Sequence, residues 1–228
     1  MKKIFFALLF FSANMYAYAQ LYKKLHFKSL LIDTHNDIPT TAIDKGVSFD
    51  QDLKTKTHSD LQRMKAGGID AQLFSIWCDG NKINPYAWAN RQMDTVLAWT
   101  NRNPNDMIQA FTVADIIAAE KQKKLAVLFG VEGGHMIEND LSKLDALYKR
   151  GARYMTLTWN NSTTWATSAL DETTRADSLP HRGLTEFGMQ VVRHMNELGM
   201  LVDLSHVGEQ TFWDAINTTT KPVLVSHS

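Results

Sequence analysis

Four short apolar runs in this chain end in a histidine or a carboxylate, and this repeated pattern limits the folds open to it. The runs are Leu30–Ile32, Leu125–Val131, Met200–Leu204 and Pro222–Val225. They are rich in branched side chains, as buried parallel strands are. The residues that follow or end them are His35, Asp37, Glu132, His206 and His227. Because residues two apart on an extended chain point the same way, we expect His35 and Asp37 to lie side by side. Since an α/β barrel presents functional residues at the carboxyl ends of its strands, the pattern predicts one shared site.

Strand-like and helix-like segments alternate along the chain, which is typical of parallel strands joined by right-handed crossovers. Strands are predicted at residues 30–35, 69–77, 125–131, 152–158, 200–205 and 222–226. Helices are predicted at residues 59–65, 85–101, 113–124, 141–149, 184–198 and 208–217, with polar loops at 41–57 and 160–182. The predicted fold is α/β, a (β/α)8 TIM-type barrel with about six of its eight strands in this chain. We therefore expect the protein to continue past Ser228.

The first 19 residues have the features of a secretory signal peptide. Two lysines precede the apolar stretch Ile4–Phe11, which is too short to span a bilayer, and an Ala-x-Ala cleavage site ends at Ala19. We predict cleavage after Ala19 and secretion across the inner membrane, with the periplasm as the expected compartment. An uncleaved N-terminal anchor is the alternative.

The composition excludes some classes of partner. The 24 basic and 24 acidic residues give a formal net charge of zero, and no basic stripe is present for binding nucleic acid. Cys78 is the only cysteine, so no intrachain disulfide can form, and we predict that it is a small buried apolar side chain. The sequence leaves open whether the chain forms a homodimer, and it indicates no membrane association beyond the signal peptide.

The residue types at the strand ends suit metal ions. Zinc binds imidazole and carboxylate at about 2.0–2.2 Å, and a bridging carboxylate holds two ions roughly 3.5–4 Å apart. Taken singly, each residue also fits a role without metal, since Asp37 could cap a helix or turn and Glu132 could lie on a surface loop. His206 and His227 could be core histidines bonded to backbone. Recurrence of the pattern at four strand ends favours the metal site, with His135 predicted to support the ligands without binding metal.

Four segments resemble the membrane dipeptidase family of metal-dependent amidohydrolases. They are LIDTHNDIP at 31–39, FGVEGGHMIE at 129–138, LGMLVDLSHVGEQTF at 198–212 and KPVLVSHS at 221–228. The resemblance implies a (β/α)8 barrel with two zinc ions (Zn2+) per chain at its mouth. It implies that His35 and Asp37 bind one zinc ion. It also implies that His206 and His227 bind the other, and that Glu132 bridges both as the catalytic carboxylate.

Two departures from the family pattern concern catalysis. Members from animals carry a histidine after the strand motif MTLT, where this chain has Trp159 followed by Asn160. Because an indole N–H cannot carry charge, we predict that Trp159 forms a wall of the substrate site and that Asn160 contacts substrate. The family's substrate-binding Arg and proton-shuttling Asp are expected beyond Ser228. Residues 20–228 are then the N-terminal part of a metallo-dependent hydrolase barrel, with the metal ligands but without the general acid or base.

Three functional hypotheses are compatible with these observations. The first is a secreted zinc dipeptidase that hydrolyses the amide bond of a dipeptide with hydroxide from a water shared by two ions. The second is another amidohydrolase that acts on a lactam, a lactone or a phosphoester. The third is a catalytically impaired barrel-fold binding protein, which Trp159 favours. The presence of all five ligand-type residues favours an enzyme, because a binding protein gains nothing from a bridging carboxylate.

Overall fold

The computed structural model of the protein describes residues 21–228, so the predicted signal peptide lies outside the described range. The strands are β1 (Ile32–Asn36), β2 (Ala71–Trp77), β3 (Met107–Gln109), β4 (Leu125–Glu132), β5 (Ala152–Thr156), β6 (Leu201–Asp203) and β7 (Val223–Leu224). They form one parallel sheet in the order β1-β2-β4-β5-β6-β7, and the short β3 pairs beside β4. The sheet places the carboxyl ends of all these strands along one edge.

Helices connect the strands as the alternation predicted. They are α1 (Ile38–Lys45), α2 (Leu61–Gly67), α3 (Pro85–Arg102), α4 (Val113–Lys121), α5 (Leu141–Lys149), α6 (Ala169–Thr174), α7 (Glu186–Leu198) and α8 (Glu209–Thr218). Two short 3₁₀ helices span Gly134–Ile137 and Ala176–Ser178. Within residues 21–228, no helix has both the length and the apolar character needed to cross a bilayer.

The chain after β1 differs from the prediction. The strand ends at Asn36, and Pro39 lies in the first turn of α1, where its missing N–H removes no helical hydrogen bond. Asp37 occupies the position before that helix with φ −82° and ψ 12°, which is not extended backbone. Asp37 therefore faces His35 because the chain turns into α1, and not because alternate residues of an extended strand share a face.

Both predicted loops contain helix, and one short strand was not predicted. α1 extends into the predicted loop 41–57, and α6 lies within the predicted loop 160–182. Ser168 starts α6, since its hydroxyl accepts a hydrogen bond from Asp171 N at 3.1 Å. None of the six residues of α6 is buried, so apolar periodicity could not reveal it. β3 has three residues, which is too short for the alternation test.

β4 is the centre of the sheet and determines the environment of Glu132. All eight of its residues are buried, because β2 pairs along nearly its whole length and β3 and β5 pair on its other side. At its carboxyl end Glu132 is level with Trp77 of β2 and with Thr156 of β5. The last side chain of β4 is therefore held rigidly between two neighbouring strands.

Cys78 follows β2 and is buried with 2% of its surface exposed, as the sequence predicts. Burial raises the pKa of its thiol to about 12. Because the thiolate is the reactive form, we expect a disulfide reagent at about pH 8 to label the native protein at least ~100-fold more slowly than the urea-unfolded protein. Equal labelling rates in the two states would contradict this burial.

Candidate metal centre

The five predicted ligands lie together at the carboxyl edge of the sheet. Glu132 is 4% exposed. Its Oε1 lies 3.1 Å from His206 Nε2 and 3.4 Å from His227 Nε2. Its Oε2 lies 3.3 Å from His35 Nε2, and Asp37 Oδ1 lies 3.4 Å from that same nitrogen. The two oxygens of Glu132 thus face two different groups of candidate ligands.

These separations suit metal coordination. A tetrahedral zinc site with arms of about 2.0–2.1 Å has ligand atoms about 3.3 Å apart. The oxygen-to-nitrogen separations around Glu132 are 3.1–3.4 Å. The nitrogen, oxygen and nitrogen donors of His35, Glu132 and His227 also lie within 4.8 Å of one another. The donor set therefore fits a divalent metal ion.

Roles without metal agree less well with the positions of these residues. Asp37 precedes a helix, but its side chain makes no capping hydrogen bond. Glu132 lies inside the protein and not on a surface loop. The ring nitrogens of His206 and His227 contact side chains and not backbone: Nδ1 contacts Asn160 Oδ1 in His206 and Ser226 Oγ in His227, and the two Nε2 atoms lie 2.9 Å from each other.

An open cleft of about 500 Å³ exposes the candidate ligands. Its walls include the five ligands together with Thr40, Thr41, Asp44, Trp77 and Trp159. Trp159 packs edge-on against Trp77, with ring centroids 4.9 Å apart. The structure thus places Trp159 in the wall of the cleft that contains the candidate ligands, and its contact with substrate stays a prediction.

The carboxylates in the cleft need a positive charge close to them. Burial would raise the pKa of Glu132, but hydrogen bonds from His206, His227 and His35 hold it well below its usual range. Burial lowers the pKa of His35, while its hydrogen bonds to Asp37 and Glu132 raise it to about 9. The carboxylates therefore require positive charge beside them, which a divalent ion supplies as well as a protonated ring does.

Two of the imidazoles are oriented by hydrogen-bond partners of Nδ1, the ring nitrogen that does not face Glu132. The Tyr154 hydroxyl donates to Thr34 O at 3.0 Å, so its oxygen accepts from His35 Nδ1 at 2.9 Å. Asn160 Oδ1 accepts from His206 Nδ1 at 3.2 Å. These hydrogen bonds hold one ring hydrogen on Nδ1, so that a metal ion can take the place of the hydrogen through which Nε2 otherwise contacts Glu132.

The backbone at His206 is held in an unusual conformation. Its φ is 63°, in the left-handed region that costs a non-glycine residue on the order of 1–2 kcal/mol. The His206 carbonyl accepts hydrogen bonds from Ala169 N at 2.8 Å and from Thr158 Oγ1 at 3.1 Å. Ala169 belongs to the polar segment that follows β5, so that segment helps to fix the position of a candidate ligand.

Three supporting residues were not predicted from the sequence. Tyr154 bonds to His35, and Ser75 Oγ donates to Glu132 Oε2 at 3.2 Å. Asp203 is fully buried at the end of β6. A carboxylate at the end of an apolar strand, three residues before His206, was the one signal that could have indicated Asp203. The sequence carries no such signal for Tyr154 or Ser75.

The other five histidines form no ion pair with Glu132 within residues 21–228. They are His26, His58, His135, His181 and His194. The His135 ring contacts Cys78, with Nε2 3.2 Å from the carbonyl oxygen and 3.6 Å from Sγ, and not any of the five ligands. No direct hydrogen bond from His135 to a candidate ligand therefore supports its predicted role.

Comparison with solved structures shows the same fold. The probable dipeptidase PvdM from Pseudomonas aeruginosa superposes with a TM-score of 0.79 at 21% identity, over 92% of this chain and 55% of that one. A metallo peptidase from Rhodobacter sphaeroides superposes with a TM-score of 0.75 at 21% identity, over 87% of this chain and 65% of that one. The predicted α/β barrel architecture, with about six of its strands in this chain, is therefore confirmed.

Sequence comparison gives the family. An uncharacterized dipeptidase of Schizosaccharomyces pombe is 33% identical over 92% of this chain, and the chain spans about half of that relative's length, 54%. The family model described as Membrane dipeptidase (Peptidase family M19) matches residues 19–228. A match over nearly the whole chain shows that the chain belongs to the membrane dipeptidase family.

Proposed function

We propose that this chain forms the metal-binding part of a dipeptidase that hydrolyses the amide bond of a dipeptide. The observation that carries the proposal is the convergence of three imidazole Nε2 atoms and two carboxylates on one cleft. Family membership supports the substrate class. The Rhodobacter sphaeroides structure holds a phosphinate mimic of the dipeptide L-Ala-D-Ala, which supports a D-residue at the carboxyl end of the substrate.

We propose that the site would hold two zinc ions per chain. His206 and His227 would hold one ion, His35 and Asp37 would hold the other, and Glu132 would contribute to both. When bound, the ions would polarise the scissile carbonyl and lower the pKa of a shared water, so that hydroxide is available near neutral pH. Imidazole and carboxylate donors suit zinc, and they also suit other divalent ions.

The aromatic side chains would shape the substrate site. Trp159 and Trp77 form an apolar wall beside the ligands, which would exclude bulk water from the scissile bond. Trp159 cannot take the charge-bearing role of the histidine found there in the family's animal members. The Asn160 oxygen is engaged by His206, so we propose that Asn160 positions this ligand, and its contact with substrate stays a prediction.

Metal analysis combined with a substrate panel tests this function. We expect the zinc-loaded protein to contain about two zinc ions per chain by elemental mass spectrometry. We expect the full-length protein, including the residues expected beyond Ser228, to cleave L-Ala-D-Ala or L-Ala-L-Ala, with the product amine detected. Bound zinc with cleavage of lactams, lactones or phosphoesters only would favour the second hypothesis. Absence of bound zinc would contradict the proposal and favour a binding protein.

A second cleft adjoins the metal site and carries positive charge. It measures about 740 Å³, and it shares His35 and Asp37 with the first cleft. Lys45, Lys54 and Lys56 line it, and within residues 21–228 none of the three forms an ion pair with a carboxylate. Lys45 Nζ instead donates to the Lys56 carbonyl at 2.9 Å. An acidic side chain of a substrate would meet complementary charge there.

Charge reversal in this second cleft is expected to change substrate preference. In the double variant Lys54→Glu and Lys56→Glu, we expect kcat/KM for a glutamate-containing dipeptide to fall roughly 10-fold relative to Ala-Ala, with a smaller effect at high salt. Lys28→Glu, an exposed position outside the cleft, is the control and should leave the ratio unchanged. Equal losses for both dipeptides would show that the lysines do not select acidic side chains.

We also propose that the protein is secreted across the inner membrane and works in the periplasm. The basic start, the short apolar stretch and the Ala-x-Ala site support this location. Mass spectrometry of the protein from a periplasmic fraction should find Gln20 as its first residue. A mature protein that retains Met1 would contradict cleavage.

A further inference from the structure

We propose that Asp203 sets the tautomer of His227 through the hydroxyl of Ser226, and so makes His227 Nε2 available to a metal ion. This inference rests on the proposed metal site, but it concerns two residues that would not bind metal themselves. Asp203 and Ser226 are therefore positioning residues. Neither is among the ligands that the family resemblance implies.

Asp203 is a buried carboxylate whose two oxygens both act as acceptors. Oδ1 accepts from Ser205 N at 3.2 Å, from Ser205 Oγ at 3.0 Å and from Ser226 N at 2.9 Å. Oδ2 accepts from Ser226 Oγ and from Thr156 Oγ1, each at 2.6 Å. Since two of the donors to Oδ1 are backbone N–H groups, that oxygen can only accept.

The Ser226 hydroxyl connects this carboxylate to the imidazole. A hydroxyl has one hydrogen, and the separation of 2.6 Å from Asp203 Oδ2 requires that hydrogen to lie between the two oxygens. The Ser226 oxygen is then left as an acceptor for His227 Nδ1, which lies 2.9 Å away. His227 therefore keeps one ring hydrogen on Nδ1, and a metal ion can take the place of the hydrogen on Nε2, which lies 3.4 Å from Glu132 Oε1.

His227 depends on this arrangement more than the other two histidines do. His206 bonds to an amide oxygen, which can only accept, and His35 bonds to a phenol whose hydrogen is engaged by a backbone carbonyl. A serine hydroxyl alone could either donate to Nδ1 or accept from it. In this protein the carboxylate of Asp203 decides between the two directions.

Substitution by asparagine should reverse the direction of the hydrogen bonds. In Asp203→Asn the amide oxygen must stay on the Oδ1 side, because the N–H groups of Ser205 and Ser226 need an acceptor there. The NH2 group then faces the hydroxyls of Thr156 and Ser226 and donates to them. Ser226 would in turn donate to His227 Nδ1, which moves the ring hydrogen to Nε2 and blocks metal binding there.

Thr156 offers a matched control. Its hydroxyl donates to the same oxygen of Asp203 at the same 2.6 Å distance as Ser226, but it makes no hydrogen bond to a histidine. Thr156→Val and Ser226→Ala thus each remove one buried hydrogen bond from Asp203. Only Ser226→Ala also removes the partner of His227 Nδ1.

Two measurements on the purified protein test the inference. Histidine ¹⁵N spectra of the metal-free protein at about pH 10, where imidazole is neutral, report the tautomer of each ring. We expect Nδ1–H at His227 in the unsubstituted protein and in Thr156→Val, and Nε2–H in Asp203→Asn. We expect zinc affinity, measured against a coloured chelator, to fall roughly 10- to 100-fold in Ser226→Ala and Asp203→Asn and less than about 3-fold in Thr156→Val.

The inference would be overturned by Nδ1–H at His227 in Asp203→Asn, or by equal zinc affinities in Ser226→Ala and Thr156→Val. If Asp203→Asn does not fold, the comparison between Ser226→Ala and Thr156→Val decides by itself. If the unsubstituted protein binds no zinc, the proposed function fails. The nitrogen spectra of the metal-free protein still test the tautomer in that case, so the two failures are distinguishable.

Discussion

In the proposed two-ion site, Glu132→Gln is expected to lose one or both metal ions and nearly all activity. Oε1 faces His206 and His227, and Oε2 faces His35 and Ser75. An amide has only one oxygen, so one side of the substituted residue must present N–H groups to nitrogens that need a cation. Since loss of a residue that merely orients a ligand costs about 10- to 100-fold, we expect zinc affinity to fall by more than about 100-fold.

His194→Ala is the control for this experiment. His194 lies on α7, where Nε2 is 2.6 Å from Asp145 Oδ1 and Nδ1 is 3.3 Å from Glu197 Oε2, so it is partly exposed and away from Glu132. We expect full zinc content and a stability loss of about 1 kcal/mol or less. Near-normal turnover in Glu132→Gln would exclude the bridging role, whatever the control shows.

Gly130→Ala is expected to destabilise the protein, because its methyl group would overlap the buried ring of Tyr154. A Cβ at Gly130 would lie 1.9 Å from Cζ and 2.3 Å from the hydroxyl oxygen of Tyr154. Tyr154 is fully buried and pairs with Gly130 across β4 and β5, so its ring cannot move into solvent. Overpacking of this kind costs about 1–3 kcal/mol, and displacing the hydroxyl from His35 adds about 1 kcal/mol.

Gly130→Ala should also weaken zinc binding, because it would displace the Tyr154 hydroxyl that accepts a hydrogen bond from His35 Nδ1. Urea unfolding of the metal-free protein measures the first effect, and chelator competition measures the second. Gly67→Ala is the matched control, since α2 ends there and a Cβ would meet no heavy atom within 4 Å. We expect it to be neutral or to stabilise by up to about 1 kcal/mol. Equal stabilities of the two variants would contradict the close packing at Gly130.

Elements with a clear local pattern were predicted, and those without one were not. β4, which ends at Glu132, and β6 and β7, which end three residues before His206 and His227, were predicted because apolar runs bounded by polar residues depend on neighbouring residues alone. The helix 141–149 was predicted to the residue, since it has both apolar periodicity and an ending before glycine. The short α6 and β3 were missed, because neither has enough apolar residues to show a period.

In the candidate site, too, some features were predicted from the sequence and others were not. The prediction that His35 and Asp37 lie together agrees with the structure, but the predicted extended backbone at Asp37 was wrong. The backbone turns into a helix there, and the turn brings the Asp37 carboxylate back to the ring of His35. The expectation that Asn160 contacts substrate is untested, whereas its hydrogen bond to His206 depends on a residue 46 positions away.

By itself the sequence determined which side chains are of a type that can bind metal and which strand precedes each of them. Strand position and residue type are both local properties. Only the tertiary structure decided which nitrogen of each ring faces the cleft. That choice depends on partners far away along the chain, such as Tyr154 for His35, 119 positions apart, and Asn160 for His206, 46 positions apart. Hydrogen-bond direction is a property of groups that meet in space, and a pattern of neighbouring residues does not contain it.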